Sequence, residues 1–126
     1  MGSLKALLSA AAYLVQAALG ANLLVSHYNG NLYSLALTTS GATGSLTIKQ
    51  TLRAGGTMPS WLTLDSATGK LYVTDESTYG NPVLTTVSVA TDGTLSTVST
   101  ARSNGGELHS TLYGGADGKG FIAAAE

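Results

Sequence analysis

Pro59-Ser60-Trp61-Leu62-Thr63-Leu64-Asp65-Ser66-Ala67-Thr68-Gly69-Lys70-Leu71-Tyr72-Val73-Thr74-Asp75-Glu76 reads as two strands around a tight turn. Apolar and polar residues alternate on both sides of Ser66-Ala67-Thr68-Gly69, which is turn chemistry. Fifty residues later the plan returns between His109 and Glu126. Ser60 falls on Ser110, Leu62 on Leu112, Leu71 on Phe121, Tyr72 on Ile122, Val73 on Ala123 and Glu76 on Glu126. The pair Gly55-Gly56 falls on Gly105-Gly106 at the same offset. Agreement of turns, apolar positions and a glycine pair at one spacing is the signature of a repeat architecture.

Outward from this stretch the same punctuation continues. Leu23 to Tyr28 and Leu32 to Leu37 are predicted strands around the hairpin signal Asn29-Gly30. A loop is expected from Thr38 to Gly44, then a strand from Leu46 to Leu52. After Glu76, strands are expected at Val83–Ala90 and Leu95–Thr100 around Asp92-Gly93. Leu23-Leu24-Val25 also resembles Leu71-Tyr72-Val73, 48 residues on. About four strands per period of about 50 residues is the pattern of a propeller blade. The expected fold is therefore all-β, an incomplete β-propeller of about two four-stranded blades. A small sandwich of Gly/Thr-rich hairpins is the competing reading.

The segment before Asn22 has a different character. Lys5 precedes an apolar run from Ala6 to Ala18, and small residues follow at Ala18, Gly20 and Ala21. This is the plan of a secretory signal peptide over residues 1–21, with an anchor or a buried helix as the alternative. The run falls short of the roughly 20 apolar residues of a membrane span, so no stable insertion is expected after cleavage. The expected compartment is extracellular. The remainder divides into an incomplete first blade (22–56), a complete blade (57–104) and the start of a third (105–126). Propellers close with at least about four blades, so the chain is expected to be a fragment, or to associate through exposed blade edges.

Composition removes several functions. Charged residues make up 10% of the chain and the formal net charge is −1, which gives no footprint for nucleic acid. Cysteine is absent, so disulfides, thiolate nucleophiles and Cys-ligated metals are excluded. Gly114 to Gly120 is glycine-rich but lacks phosphate-loop spacing, and no Gly-x-Ser-x-Gly elbow occurs. The two histidines, His27 and His109, are too far apart for a His-x-x-x-His pair. No cofactor or metal is expected. Asp75-Glu76 lacks a third carboxylate at ligating spacing and reads as a strand end.

Two stretches resemble a known family. Pro59 to Asp65 with Gly69-Lys70-Leu71-Tyr72-Val73 is similar to the blade signature of the lactonase family of seven-bladed propellers. That family includes bacterial-type 6-phosphogluconolactonase and fungal carboxy-cis,cis-muconate cyclase. Gly105-Gly106-Glu107-Leu108-His109-Ser110, with Leu112-Tyr113-Gly114-Gly115 and Gly120-Phe121-Ile122-Ala123, resembles the next blade in secreted fungal members. The resemblance covers nearly all of the chain after the leader, and about the first third of such a protein.

It implies an enzyme that opens or closes a lactone ring, with a small lactone or carboxylate as its partner. It also implies a polar site of His, Glu and Arg at one mouth of the central channel. His109 and Glu107 are the matching catalytic candidates. His109 would open an innermost strand and take a proton from water or from a substrate carbon. Glu107 would orient that imidazole or act as a second acid/base. The remaining site groups would come from later blades, so the chain as given is expected to be inactive. The alternative function is a non-catalytic propeller that binds a sugar or a protein. Each of these residues also has a structural reading. His109 hydrogen-bonds a loop carbonyl, Glu107 sits solvated in a turn, and Trp61 and Tyr72 pack between blades. His27 is not expected to be catalytic; Arg53 and Arg102 could bind an anionic substrate, but each follows an outer strand and reads as a surface group.

Overall fold

The computed structural model of the chain describes residues 20–54, 56–114 and 120–126. These form nine strands and no helix. The segment 1–21, expected to be a leader, lies outside them except for Gly20 and Ala21, which already belong to β1.

The first sheet is β1 (Gly20–His27), β2 (Asn31–Ser40) and β3 (Thr43–Arg53). The second is β4 (Pro59–Asp65), β5 (Lys70–Asp75), β6 (Val83–Val89) and β7 (Leu95–Arg102). The third pairs β8 (His109–Tyr113) with β9 (Phe121–Ala125). Every pairing is antiparallel between chain neighbours. The sheets are joined by β4, which packs against β1 on one side and β8 on the other. The fold is therefore all-β, built as part of a β-propeller.

The repeat survives in three dimensions. β4 and β8 both begin at the residues aligned at an offset of 50, Pro59 and His109. Register shifts interrupt β2–β3 after Ser34 and β6–β7 after Thr86. Arg53 and Arg102 end the outer strands of their sheets, and both guanidinium groups reach back to an Asn at the far hairpin. Arg53 Nη1 donates to the Asn29 carbonyl at 2.9 Å, and Arg102 Nη1 to Asn81 Oδ1 at 2.9 Å.

One expected element changes. The loop assigned to Thr38–Gly44 is mostly strand, because β2 and β3 stay paired through Ser40 and Thr43. Only Gly41-Ala42 turns. The Thr/Ser content that suggests a loop instead makes cross-strand bonds: Thr38 and Ser45 hydroxyls lie 2.7 Å apart, and Thr43 Oγ1 donates to the Ser40 carbonyl at 2.8 Å. Threonine is a strand former, and such pairs stabilise a ladder.

The buried apolar core lies between the first two sheets. Leu32 and Ala54 from the first meet Leu71, Val73, Val87 and Leu95 from the second, with Leu24, Leu52, Leu62 and Val89 around them. β3 and β7 form the outer rim and are largely exposed. Removing these core side chains from water drives the sheets together face to face.

Candidate functional site

Antiparallel connections bring the end of β1, the end of β5 and the starts of β4 and β8 to one mouth. Met58 accepts from the Glu76 amide at 3.0 Å, and the Ser60 hydroxyl donates to the Glu107 carbonyl at 2.9 Å. The Tyr28 hydroxyl donates to Glu76 Oε2 at 2.6 Å, joining the first sheet to the second. That bond to a carboxylate, with some desolvation and the nearby negative charge, raises the Tyr28 pKa above its ordinary value.

A bulge aims two side chains at the third sheet. Between Pro59 and Leu62 the β4–β5 register slips, so Ser60 and Trp61 both oppose the single residue Thr74. In a regular strand neighbouring side chains face opposite ways, and a bulge re-aims them. Ser60 reaches the Glu107 carbonyl, and the Trp61 indole lies 4.4 Å from the His109 imidazole, centroid to centroid, tilted by 46°. Trp61 is 40% exposed and His109 is exposed too. His109 therefore opens the innermost strand of its sheet, against an aromatic wall. No hydrogen bond ties its ring to any described residue.

Glu107 is not the solvated turn residue that its structural reading expects. It is 6% exposed, so it is not solvated. Its carboxylate accepts from the Gly105 amide at 3.2 Å and the Ser103 hydroxyl at 3.2 Å, and it makes no hydrogen bond to His109. It closes the loop that carries the chain from β7 to β8. Gly105 has φ of 87°, and a Cβ there would meet the Ser77 carbonyl at 2.3 Å, so only glycine lets the loop pass.

The preceding inter-sheet loop has its own carboxylate. Asp75, 2% exposed, accepts from the amides of Thr57, Met58 and Ser77 at 3.2, 3.0 and 3.1 Å. Burial opposes its charge, but the Ser77, Met58 and Thr57 donors outweigh burial and hold its pKa below the ordinary value. Asp75 is thus a structural clamp, and Glu76 beside it is the Tyr28 partner. Among the described residues no group of three or more His, Cys, Asp or Glu could hold a metal ion.

The remaining candidates sit apart from His109. Tyr72 lines a cavity of about 640 Å³ between the second and third sheets, together with Tyr113 and Phe121, whose rings stack at 5.7 Å. Arg53 and Arg102 each donate to an Asn of a connecting turn, Arg53 at the hairpin that follows His27. His27 ends β1 at the mouth, and its Nδ1 accepts from the Asn29 amide at 3.1 Å. The Tyr28–Glu76 bond was within reach of the sequence. The two residues differ by 48, the offset at which Leu23-Leu24-Val25 aligns with Leu71-Tyr72-Val73. The Trp61–His109 contact was not, because it depends on the bulge.

Antiparallel sheets packed in succession through their first strands, with polar side chains gathered at one mouth, define a β-propeller. The model of the family described as Lactonase, 7-bladed beta-propeller, matches residues 22–126. The chain belongs to that family. No curated protein and no solved structure matches it.

Proposed function

We propose that this mouth is part of a lactone-converting site in an exported protein, acting on a small lactone or its hydroxy-acid or carboxylate counterpart. Whether a sugar lactone is opened, as in 6-phosphogluconolactonase, or a muconate is cyclised is a difference in substrate at the same mouth. The observation that carries the reading is His109: a ring at the start of an innermost strand, open to solvent, and free of hydrogen bonds to described residues, in a chain of the lactonase propeller family.

In the hydrolytic direction His109 takes a proton from water as the oxygen attacks the lactone carbonyl carbon. The bond from that carbon to the ring oxygen breaks, and the departing oxygen takes the proton back. Glu107 acts as a positioning residue. It holds the 103–108 loop, and through the backbone it fixes where His109 begins β8. Trp61 limits the swing of the imidazole and walls the site. Groups from other blades of a seven-bladed ring complete the site, so these residues by themselves do not turn over substrate. Residues 1–21 direct export and are removed, which N-terminal sequencing of exported protein would read as a start near Asn22.

The test is consumption of glucono-δ-lactone and of a muconolactone by a closed seven-bladed form containing this sequence. The expected result is turnover above the spontaneous rate, lost by about 100-fold or more in His109→Ala, the usual scale for a general base. Ligand binding without turnover would favour a propeller that only binds.

A further inference from the structure

His27 stands at the same mouth with no part in the scheme above. Its Nδ1 accepts the Asn29 backbone N–H at 3.1 Å. A backbone amide only donates, so Nδ1 presents a lone pair. In a neutral imidazole the proton then resides on Nε2. The hairpin thereby fixes the tautomer of this ring.

A cavity of about 270 Å³ lies against His27, walled also by Ser26, Tyr28, Pro59 and Ser60. Most donors in that wall are already used. The Tyr28 hydroxyl is given to Glu76, and the Ser60 hydroxyl to the Glu107 carbonyl. Pro59 has no N–H. His27 Nε2–H is left uncommitted, with no hydrogen-bond partner among the described residues. Ser60 is also the neighbour of Trp61, which touches His109, so the two histidines of the chain flank the start of β4.

We propose that His27 is an oxygen-binding residue of this mouth, donating its Nε2–H to a carbonyl or carboxylate oxygen of a lactone or its hydroxy acid. The proposal rests on the lactone reading for the identity of the ligand. The tautomer stands without it. His27 and His109 then have separate roles. His27 holds an oxygen as a donor, and His109 moves a proton.

The experiment uses the chain labelled with 15N-histidine and gluconate as the probe. Two histidines give two ring systems, assigned with His109→Ala. At about pH 8, where an ordinary imidazole is neutral, His27 is expected to carry its proton on Nε2 before ligand is added. Gluconate should then shift the His27 Nε2 resonance. His27→Asn keeps an acceptor for the Asn29 amide but cannot reach the cavity. It should weaken gluconate binding about tenfold, the scale of one hydrogen bond. His27→Gln restores an N–H near the Nε2 position and should bind within about threefold of the unaltered chain. A ring protonated on Nδ1, a gluconate titration that leaves His27 unmoved, or equal binding by the Asn variant would overturn the proposal. The lactone reading fails separately, by absence of turnover in a closed ring while these His27 results hold.

Discussion

The two seams between sheets are built by different means. The seam joining the first and second sheets encloses the apolar core and is fastened at the rim by long polar side chains. Gln50 grips the Leu95 backbone with both ends of its amide: Nε2 donates to the carbonyl at 2.9 Å and Oε1 accepts from the N–H at 2.7 Å. Asn22 Nδ2 donates to the Thr91 carbonyl at 3.2 Å, and Lys49 pairs with Asp92 at 3.2 Å. The seam joining the second and third sheets has no buried apolar cluster of its own among the described residues. It is held by hydroxyls and a ring contact along β4 and β8. Thr63 Oγ1 meets the Ser110 carbonyl at 2.9 Å and the Ser110 hydroxyl at 2.8 Å, and Trp61 lies on His109. The first seam carries stability, and the second carries the proposed proton transfer. Directional polar contacts with little packing suit a place where an imidazole must stay accessible.

The largest effect should come from the clamp beside the first seam. Asp75→Ala strands three amide donors of a partly buried loop, where each unsatisfied group costs about 1–3 kcal/mol. About 3 kcal/mol of unfolding free energy should be lost. Urea denaturation measures it. A loss below about 1 kcal/mol would mean that the loop finds water and that Asp75 is no clamp. Gln50→Ala comes next, with about 2 kcal/mol for the two bonds to Leu95. Thr63→Val, at the second seam, should cost only about 1 kcal/mol. If Thr63→Val proved costlier than Gln50→Ala, the division between the seams would be inverted.

Acid should act on the first seam before the second. Burial pulls the Asp75 pKa up, but the Ser77, Met58 and Thr57 donors hold it below 3.8. The Thr94 amide and hydroxyl, with Lys49, bring Asp92 to about 2. A depressed folded pKa means stability that is complete above the unfolded value, 3.8 here, and is lost as pH falls through the folded value. Hydrogen exchange at low pH should therefore open the Thr57–Met58 and Thr91–Thr94 segments while β8 amides hold. The smallest effect belongs to Lys49→Met. Exposed ion pairs contribute little and are screened by salt. Its denaturation midpoint should match the parent at about 0.5 M salt, a concentration of roughly 4 Å screening length.

Much of the fold was legible because it is written twice. The 50-residue offset located β4, β5, β8 and β9, and the Asn-Gly and Asp-Gly turns located the β1–β2 and β6–β7 hairpins. What alternation and turn residues specify locally, the structure keeps. The stretch from Thr38 to Gly44 reads as a loop because Ser, Thr and Gly serve loops and edge ladders alike, and only pairing partners decide between them. The candidate site was legible to a lesser degree. His109 is at the start of an inner strand, as its alignment with Pro59 implies. The partner of the Glu107 carboxylate was hidden, because it depends on a positive-φ glycine fold in the loop. The placement of Trp61 on His109 was hidden in the one-residue bulge of β4. A bulge changes the facing of every residue before it and leaves no mark in composition.

The most direct measurement compares His109→Ala with Glu107→Gln in a closed seven-bladed form, recording kcat for lactone opening and the urea midpoint of each. His109→Ala should lower kcat by about 100-fold or more with little change in midpoint, as expected for loss of a general base. Glu107→Gln should lower the midpoint while the folded enzyme keeps kcat within about tenfold, a positioning effect smaller than loss of the base. The opposite pattern, with full turnover in His109→Ala, would contradict the assignment of proton transfer to His109.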